Sequence, residues 1–299
     1  MQTKNGFLIL DKGEGMSSHT AVSRVKRLLG AKTAGHTGTL DPMATGVLPI
    51  LIERGVKASE YMIGADKHYI ARMKLGFATD TEDTSGETVE ETEYIPTENE
   101  VEKATLSMLG DQLQTPPMYS ALKIGGKKLC DLAREGKTVE RTPRPITVYS
   151  ISQKKISDTE YELDVHCSKG TYIRTLCAEI GRRAGSLAAM KSLRRAECVG
   201  FTLSDAITLE ELEAMSDDER WAAVHPIEEI FADYVNITLQ SFFARLARSG
   251  LEIYLKKIGA SLELGTRVKL SDEKGFFAIG EVRKFEAGLA IKPIKQFEL

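Results

Sequence analysis

Asp41 is the one acid in the stretch Gly35–Pro49, GHTGTLDPMATGVLP, which also holds three glycines and two prolines. Glycine permits close backbone approach or positive φ, and proline fixes φ, so the stretch reads as a tightly shaped turn around a single carboxylate. Leu40, Pro42 and Ala44 make its surroundings apolar or small. A lone carboxylate held in such a turn is a candidate reactive group. An aspartate in a turn also serves as a helix cap or a loop brace, and the stretch by itself fits that reading at least as well.

The other reactive side chains offer less. Ser120-Ala121-Leu122-Lys123 matches the S-x-x-K of some serine acyltransferases, without the S-D-N or K-T-G that accompany it there. Gly125-Gly126-Lys127-Lys128 lacks the first glycine and the hydroxyl of a phosphate-binding loop. The histidines, His19, His36, His68, His166 and His225, are never four apart, so a metal site has no support. Cys130, Cys167, Cys177 and Cys198 include no C-x-x-C pair and fit free thiols in a reducing cytosol. No run of apolar residues is long enough to span a membrane, and the start MQTKNGFLILDKGEG has no signal-peptide pattern. These features point to a cytoplasmic chain with no cofactor.

The net charge of −3 does not by itself suggest a nucleic-acid partner, but its distribution does. Asp80 to Glu102 holds ten acids and no base. Lys169 to Arg195 holds seven bases against Glu179, and Lys123 to Arg144 seven bases against three acids. Such sorting predicts one positive face on an acidic body, the footprint of a polyanion site.

The elements that must position Asp41 follow from periodicity. Phe7 to Leu10 is a short buried strand. Ser17 or Ser18 caps a helix with the stripe Val22, Val25, Leu29, closed by Gly30. After the turn, Val47 to Ile52 is apolar and a helix runs to about residue 63. His68 to Leu75 alternates, with Tyr69, Ala71, Met73 and Leu75 on one face. Thr97 to Glu100 is a capping box opening a helix to about residue 109. Lys127 to Glu135 reads as a helix stopped by Gly136. Pro145 to Ile156 and Tyr161 to Cys167 are strands. Thr171 to Ala184 is a helix with Ile173, Leu176, Cys177 and Ile180 inward. Past about Ala232, short runs at Arg267–Leu270, Phe276–Val282 and Leu289–Pro293 predict a small β-rich domain.

Read together, three stretches resemble the TruB family of pseudouridine synthases. They are Gly35–Leu48 (G-H-x-G-x-L-D-P-x-A-x-G-x-L), Tyr119–Lys123 with Gly125–Gly136, and Lys169–Thr175 with Ser192–Arg195. Asp11-Lys12 and Asp66–Tyr69 fit as well, so the match covers about Gly6 to Phe201. Two positions depart: Gly13 stands where the family has proline, and Glu53-Arg54-Gly55-Val56-Lys57 replaces G-x-A-T-K.

The resemblance implies an α/β (α+β) fold: a catalytic domain over residues 1–231 with a mixed, mainly antiparallel central sheet flanked by helices. It implies a β-rich PUA-like RNA-binding domain over residues 232–299. It implies isomerisation of uridine-55 in the T loop of tRNA to pseudouridine, without a cofactor, by a monomer needing no protein partner. Asp41 matches the family's essential aspartate, Arg174 the arginine that pairs with it, and Tyr69 the tyrosine that stacks on the target base. His36 matches the residue that fills the gap left by a flipped nucleotide, and Leu193 an apolar residue of the pocket. Lys12, Lys123, Lys127, Lys128, Arg134, Arg141, Arg144, Arg194 and Arg195 are the expected contacts to the RNA backbone, and the C-terminal domain would grip the acceptor stem. Two other readings share parts of the pattern: a tRNA-binding folding helper would need the basic face but not Asp41, and a serine hydrolase would use Ser120 and Lys123.

Overall fold

The computed structural model describes residues 5–297. Residues 1–4 and 298–299, the outer ends of the two expected domains, lie outside the described residues. In chain order the central sheet is built from β1 (Gly6–Lys12), β2 (Ala34–His36), β3 (Thr45–Ile52), β4 (Lys67–Leu75), β5 (Gly110–Gln114), β6 (Arg144–Lys155), β7 (Glu160–Cys167), β8 (Ala188–Cys198) and β9 (Ile207–Thr208), with Phe201–Thr202 as a short tenth strand. The spatial order is β9-β1-β3-β8-β4-β7-β6-β5, and β2 pairs with β3 outside that path. Two pairings are parallel, β9 on β1 and β8 on β3, and the rest are antiparallel. This is the mixed, mainly antiparallel sheet that the family resemblance implies.

Alternation decides which side chains enter the core. On β1, Leu8 and Leu10 join the main core, while Phe7 and Ile9 join a separate cluster with Val47, Leu51 and Met62. The main core also takes Tyr69, Ala71, Met73 and Leu75 of β4. Helices pack into it, among them α1 (Ser18–Leu28), α2 (Glu98–Leu106) and α3 (Ile173–Arg183). Ser17 caps α1 by accepting the Thr20 N–H at 3.0 Å. The Thr97/Glu100 capping box starts α2, which ends three residues earlier than its pattern suggests. Helix α3 buries Ile173, Leu176, Cys177 and Ile180, and each such side chain contributes roughly 1.5–3 kcal/mol of burial.

Two segments differ from expectation. Gly125 and Gly126 take φ of 58° and 84°, so Lys123–Ile124 and Lys127–Lys128 form a hairpin ahead of a shorter helix at Leu129–Arg134. Ala188–Cys198 carries no clean alternation and yet is a central strand. Its register on β4 shifts between Met190 and Ser192 and between Arg195 and Glu197, and each bulge resets which face a side chain points to.

Beyond residue 232 a second sheet forms from β10 (Val235–Thr238), β11 (Ile253–Tyr254), β12 (Arg267–Asp272), β13 (Gly275–Phe285) and β14 (Gly288–Gln296), in the order β10-β12-β13-β14-β11. It has its own core around Val268, Phe277 and Ile291, closed by the helix Ser241–Arg248. A shared cluster of Ala58, Ile227, Phe231, Ile279 and Phe297 joins it to the larger body, with Lys295 bonded to Glu60 at 2.6 Å.

Glu53 explains one departure from the family pattern. Its φ is +52°, a left-handed conformation that glycine takes without strain and other residues resist. Its carboxylate is held by the Lys32 N–H at 2.5 Å. Glu53→Ala keeps the strained φ and loses that bond, so it is expected to lower unfolding free energy by about 1–2 kcal/mol. Glu53→Gly relieves the strain and should stay within about 0.5 kcal/mol of the parent. Urea denaturation of both variants checks this, and equal losses would remove the strain argument.

Candidate active site

Asp41 sits in the loop between β2 and β3, and that loop is pinned from several sides. The Ser18 hydroxyl, at the first residue of α1, accepts the Leu40 N–H at 2.8 Å and donates to the Leu40 carbonyl at 2.9 Å. The Ala44 N–H donates to the Asp41 carbonyl at 3.0 Å, and the Gly15 N–H to the Pro42 carbonyl at 2.8 Å. Lys12 is fully buried, and its Nζ donates to the carbonyls of Gly13, Met16 and Pro42 at 2.8, 2.9 and 3.4 Å. Gly46, at φ +104°, ends the loop, and a Cβ there would lie 2.2 Å from the Arg195 carbonyl oxygen. Only glycine lets β3 meet β8 so closely.

Arg174 comes to Asp41 from α3. Its Nε lies 3.1 Å from Asp41 Oδ2, and its Nη2 donates to Asp41 Oδ1 at 3.5 Å. Nη2 also donates to the Tyr119 carbonyl at 2.6 Å, and Nη1 donates to the Thr81 carbonyl at 3.1 Å. Nη1 reaches a second carboxylate, Asp83 Oδ2, at 3.5 Å. The guanidinium and Asp83 are both 6% exposed, whereas the Asp41 side chain keeps 33% of its surface open. The fork therefore presents one carboxylate to the outside and hides the other.

Asp83 is the neighbour of this pair that sequence reasoning missed. It lies inside the acidic run that reads as a surface turn, and no local pattern separates it from the acids around it. The structure buries it and braces its Oδ1 with the Thr81 hydroxyl at 2.9 Å and the Ser85 N–H at 3.0 Å. Burial pushes the Asp41 carboxyl above the ordinary aspartate range; Arg174 opposes this, Asp83 adds to it and Lys12 opposes it. Burial also brings the Lys12 ammonium down to about 8, with Asp41 pulling the other way.

Tyr69 on β4 is 7% exposed and belongs to the main core. Burial raises its phenol, and the Arg195 charge opposes that. Arg195 stands beside it in register on β8. It is 1% exposed, with Nε donating to the Val47 carbonyl at 2.7 Å and Nη2 to the Gly38 carbonyl at 3.1 Å. His36 ends β2, and its Nδ1 accepts the Gly38 N–H at 3.3 Å. Burial, then the Arg195 and His19 charges, hold its imidazole below the ordinary value, so it stays neutral at pH 7. Leu193 is buried in the same core, opposite Ala71.

The basic residues divide. Lys12 and Arg195 face inward, their side chains bonded to backbone carbonyls. Five of the seven bases between Lys169 and Arg195 pair with acids. In the Lys169–Arg195 segment, Arg174 binds Asp41 and Asp83, Arg182 and Arg183 bind Glu179, Lys191 binds Glu160 and Arg194 binds Asp11. Lys123, Lys127, Lys128 and Arg134 are exposed on the 123–128 hairpin and the helix after it, and Arg144 is exposed at the start of β6. Lys127 and Arg134 lie 3.8 and 3.7 Å from Glu135 and Asp131. Arg141 is partly covered and donates to the Pro116 carbonyl at 3.0 Å. Ser120 is buried while Lys123 is exposed on that hairpin, which gives the S-x-x-K reading no geometry.

Comparison with known proteins fits this arrangement. The family model described as TruB family pseudouridylate synthase (N terminal domain) matches residues 26–173. The model described as tRNA pseudouridylate synthase B C-terminal domain matches residues 174–232. Similar curated proteins include one from Methylobacillus flagellatus, 42% identical over 93% of this chain and 91% of its own length, and one from Neisseria meningitidis, 39% identical over 94% and 91%. Both carry the name tRNA pseudouridine synthase B. Among solved structures, a chain of a Cbf5-Nop10-Gar1 complex superposes with a TM-score of 0.72 at 25% identity, over 98% of this chain and 84% of that one.

Proposed function

The chain belongs to the TruB family of pseudouridylate synthases, which are isomerases, and from that premise we propose that it converts uridine-55 in the T loop of tRNA to pseudouridine with Asp41 as the reacting carboxylate. The observation that carries this reading is the Asp41–Arg174 pair, 3.1 Å apart, with Asp41 the more open partner.

The reaction breaks the N1–C1′ bond, turns the uracil and joins C5 to C1′. C5 gives up a proton and N1 gains one, so no electrons leave or enter. Positive charge develops on the sugar as the base departs, and a fixed carboxylate stabilises it. Asp41 fits either attack on C1′ or removal of the C2′ proton. Arg174 keeps it ionised against the pull of burial and aims it.

A uridine inside a folded loop must leave the stack before it can reach Asp41. His36, neutral and next to Gly38, is the residue proposed to fill the space left behind. Tyr69 is proposed to stack on the flipped base through the edge it leaves exposed, and Leu193 to line the pocket. Exposed Lys123, Lys127, Lys128, Arg134 and Arg144, with Arg141 and Arg194, are the proposed backbone contacts. Residues 1–231 are proposed as the catalytic domain. The sheet beyond residue 232 is proposed as a PUA-like domain gripping the acceptor stem. Among the described residues no helix is long and apolar enough to cross a membrane. A cytoplasmic monomer acting on tRNA is the proposed setting.

Unmodified tRNA transcript, incubated with the protein and mapped for pseudouridine, is expected to gain it at position 55, and a transcript with cytidine there to gain none. Modification elsewhere in the T arm would overturn the site assignment. Phosphate contacts release counterions, so log Kd should vary linearly with log salt. Each of Lys123→Ala, Lys128→Ala and Arg144→Ala is expected to reduce that slope by about 1, with the rate constant at saturation unchanged. Slopes equal to the parent's in all three would remove this surface from the interface.

A further inference from the structure

Arg174 is only as well aimed as the start of α3, and that start lacks the usual support. Its N-cap is Tyr172, which makes no side-chain capping bond. A helix N-terminus leaves several N–H groups without intrahelical partners, so an uncapped one frays readily. Gln114, the last residue of β5, supplies the missing hold. Its Nε2 donates to the Tyr172 carbonyl at 3.0 Å, and its Oε1 accepts the Tyr172 N–H at 2.8 Å. Tyr172 is extended, with φ −97° and ψ 110°. In that conformation a residue's N–H and C=O point the same way, as in the closely spaced bond pair of an antiparallel ladder. The Gln114 amide takes the part of the missing strand. It is 8% exposed, so water competes little for its bonds.

Ser18 does the same for the other partner. Its single hydroxyl accepts the Leu40 N–H and donates to the Leu40 carbonyl, and Leu40 precedes Asp41. Ser18 is 2% exposed. Neither Gln114 nor Ser18 touches the Asp41–Arg174 pair itself. Both grip a neighbouring residue at its two backbone polar groups, from an element outside the loop or helix that carries the charge.

We propose that Gln114 and Ser18 are positioning residues, a matched pair of side-chain clamps that set the register between the Asp41 carboxylate and the Arg174 guanidinium. The inference rests on the reading of that pair as the working one. Displacing a catalytic group by about 1 Å costs up to about 100-fold in rate. Gln114 faces Arg144 across the sheet, but its amide bonds Tyr172 alone, and Ser18 bonds Leu40, so removing either clamp leaves the exposed cations in place and slows the chemical step while sparing RNA affinity.

The test is single-turnover release of tritium from tRNA carrying uridine labelled at C5. It compares the parent, Gln114→Met, Ser18→Ala and Asp41→Asn, each confirmed folded by circular dichroism. Gln114→Met preserves volume and removes both bonds, and Ser18→Ala provides an independent route if the first variant does not fold. Each clamp variant is expected to slow the chemical step about 10- to 100-fold with tRNA Kd within about 3-fold of the parent. The acid limb of the rate profile should also move to higher pH, because a looser Arg174 offsets less of the burial around Asp41. Parent-like rate constants, or slower rates with an unmoved acid limb, overturn the clamps. If Asp41→Asn is inactive in the same assay while the clamp variants run at the parent rate, the clamps fail alone. If Asp41→Asn itself runs at the parent rate, the proposed function fails first.

Discussion

In single-turnover assays Asp41→Asn is expected to form pseudouridine at least about 10⁴-fold more slowly than the parent, the scale seen when a central member of a catalytic group is removed. Asparagine keeps the shape and the hydrogen-bonding reach of aspartate. It cannot carry the negative charge that either route at the sugar requires. The protein should stay folded, and the sign of the Asp41 shift says why. Burial raises this carboxyl above its ordinary value even with Arg174 beside it. A carboxyl raised on folding binds its proton more tightly in the native state, so stability falls as pH rises through the window between the ordinary and the raised value. At a pH above both, the ionised group weakens the fold, and an uncharged isostere relieves that. The Tm of Asp41→Asn is therefore expected to match or exceed the parent's. A residual rate above about 1% of the parent would mean that another group does the chemistry.

How much of this site could be read from the chain depends on where each residue finds its partners. The turn around Asp41 is legible because glycine and proline set backbone conformation locally, as Gly46 does at φ +104°. Strand β4 and helix α3 are legible because each buries one clean stripe. Asp83 is not, because its partner Arg174 lies 91 residues away and nothing within the acidic run distinguishes it. Gln114 and Ser18 are hidden for the same reason: their bonds go to the backbone of Tyr172 and Leu40. Lys12 and Arg195 mislead in the opposite sense. A charged side chain in sequence reads as solvent-facing, yet a ring of carbonyls satisfies it inside. Strand β8 escapes pattern reading because two bulges break its alternation.

Arg174→Lys is expected to slow the chemical step about 10²- to 10³-fold, although it preserves the charge. The guanidinium reaches Asp41 at two atoms, Asp83 at a third, and the carbonyls of Thr81 and Tyr119 besides. A lysine ammonium is a single shorter point of charge and cannot serve two carboxylates and two carbonyls on opposite sides. The contact it gives up fastest is the one to Asp41, which is open to water, whereas Asp83 is sealed in. Arg174 is also the largest influence opposing the upward push of burial on Asp41. Loosening it moves the acid limb of the rate profile to higher pH, and Arg174→Ala moves it further. Arg174→Ala additionally leaves Asp83 buried without its cation, which costs about 3–5 kcal/mol of stability. A phosphate contact at this position would behave differently, with weaker tRNA binding, a shallower salt dependence and an unchanged acid limb. A pH–rate profile measured beside a salt titration of Kd separates the two, and an acid limb that stays in place in both variants would remove Arg174 from the control of Asp41.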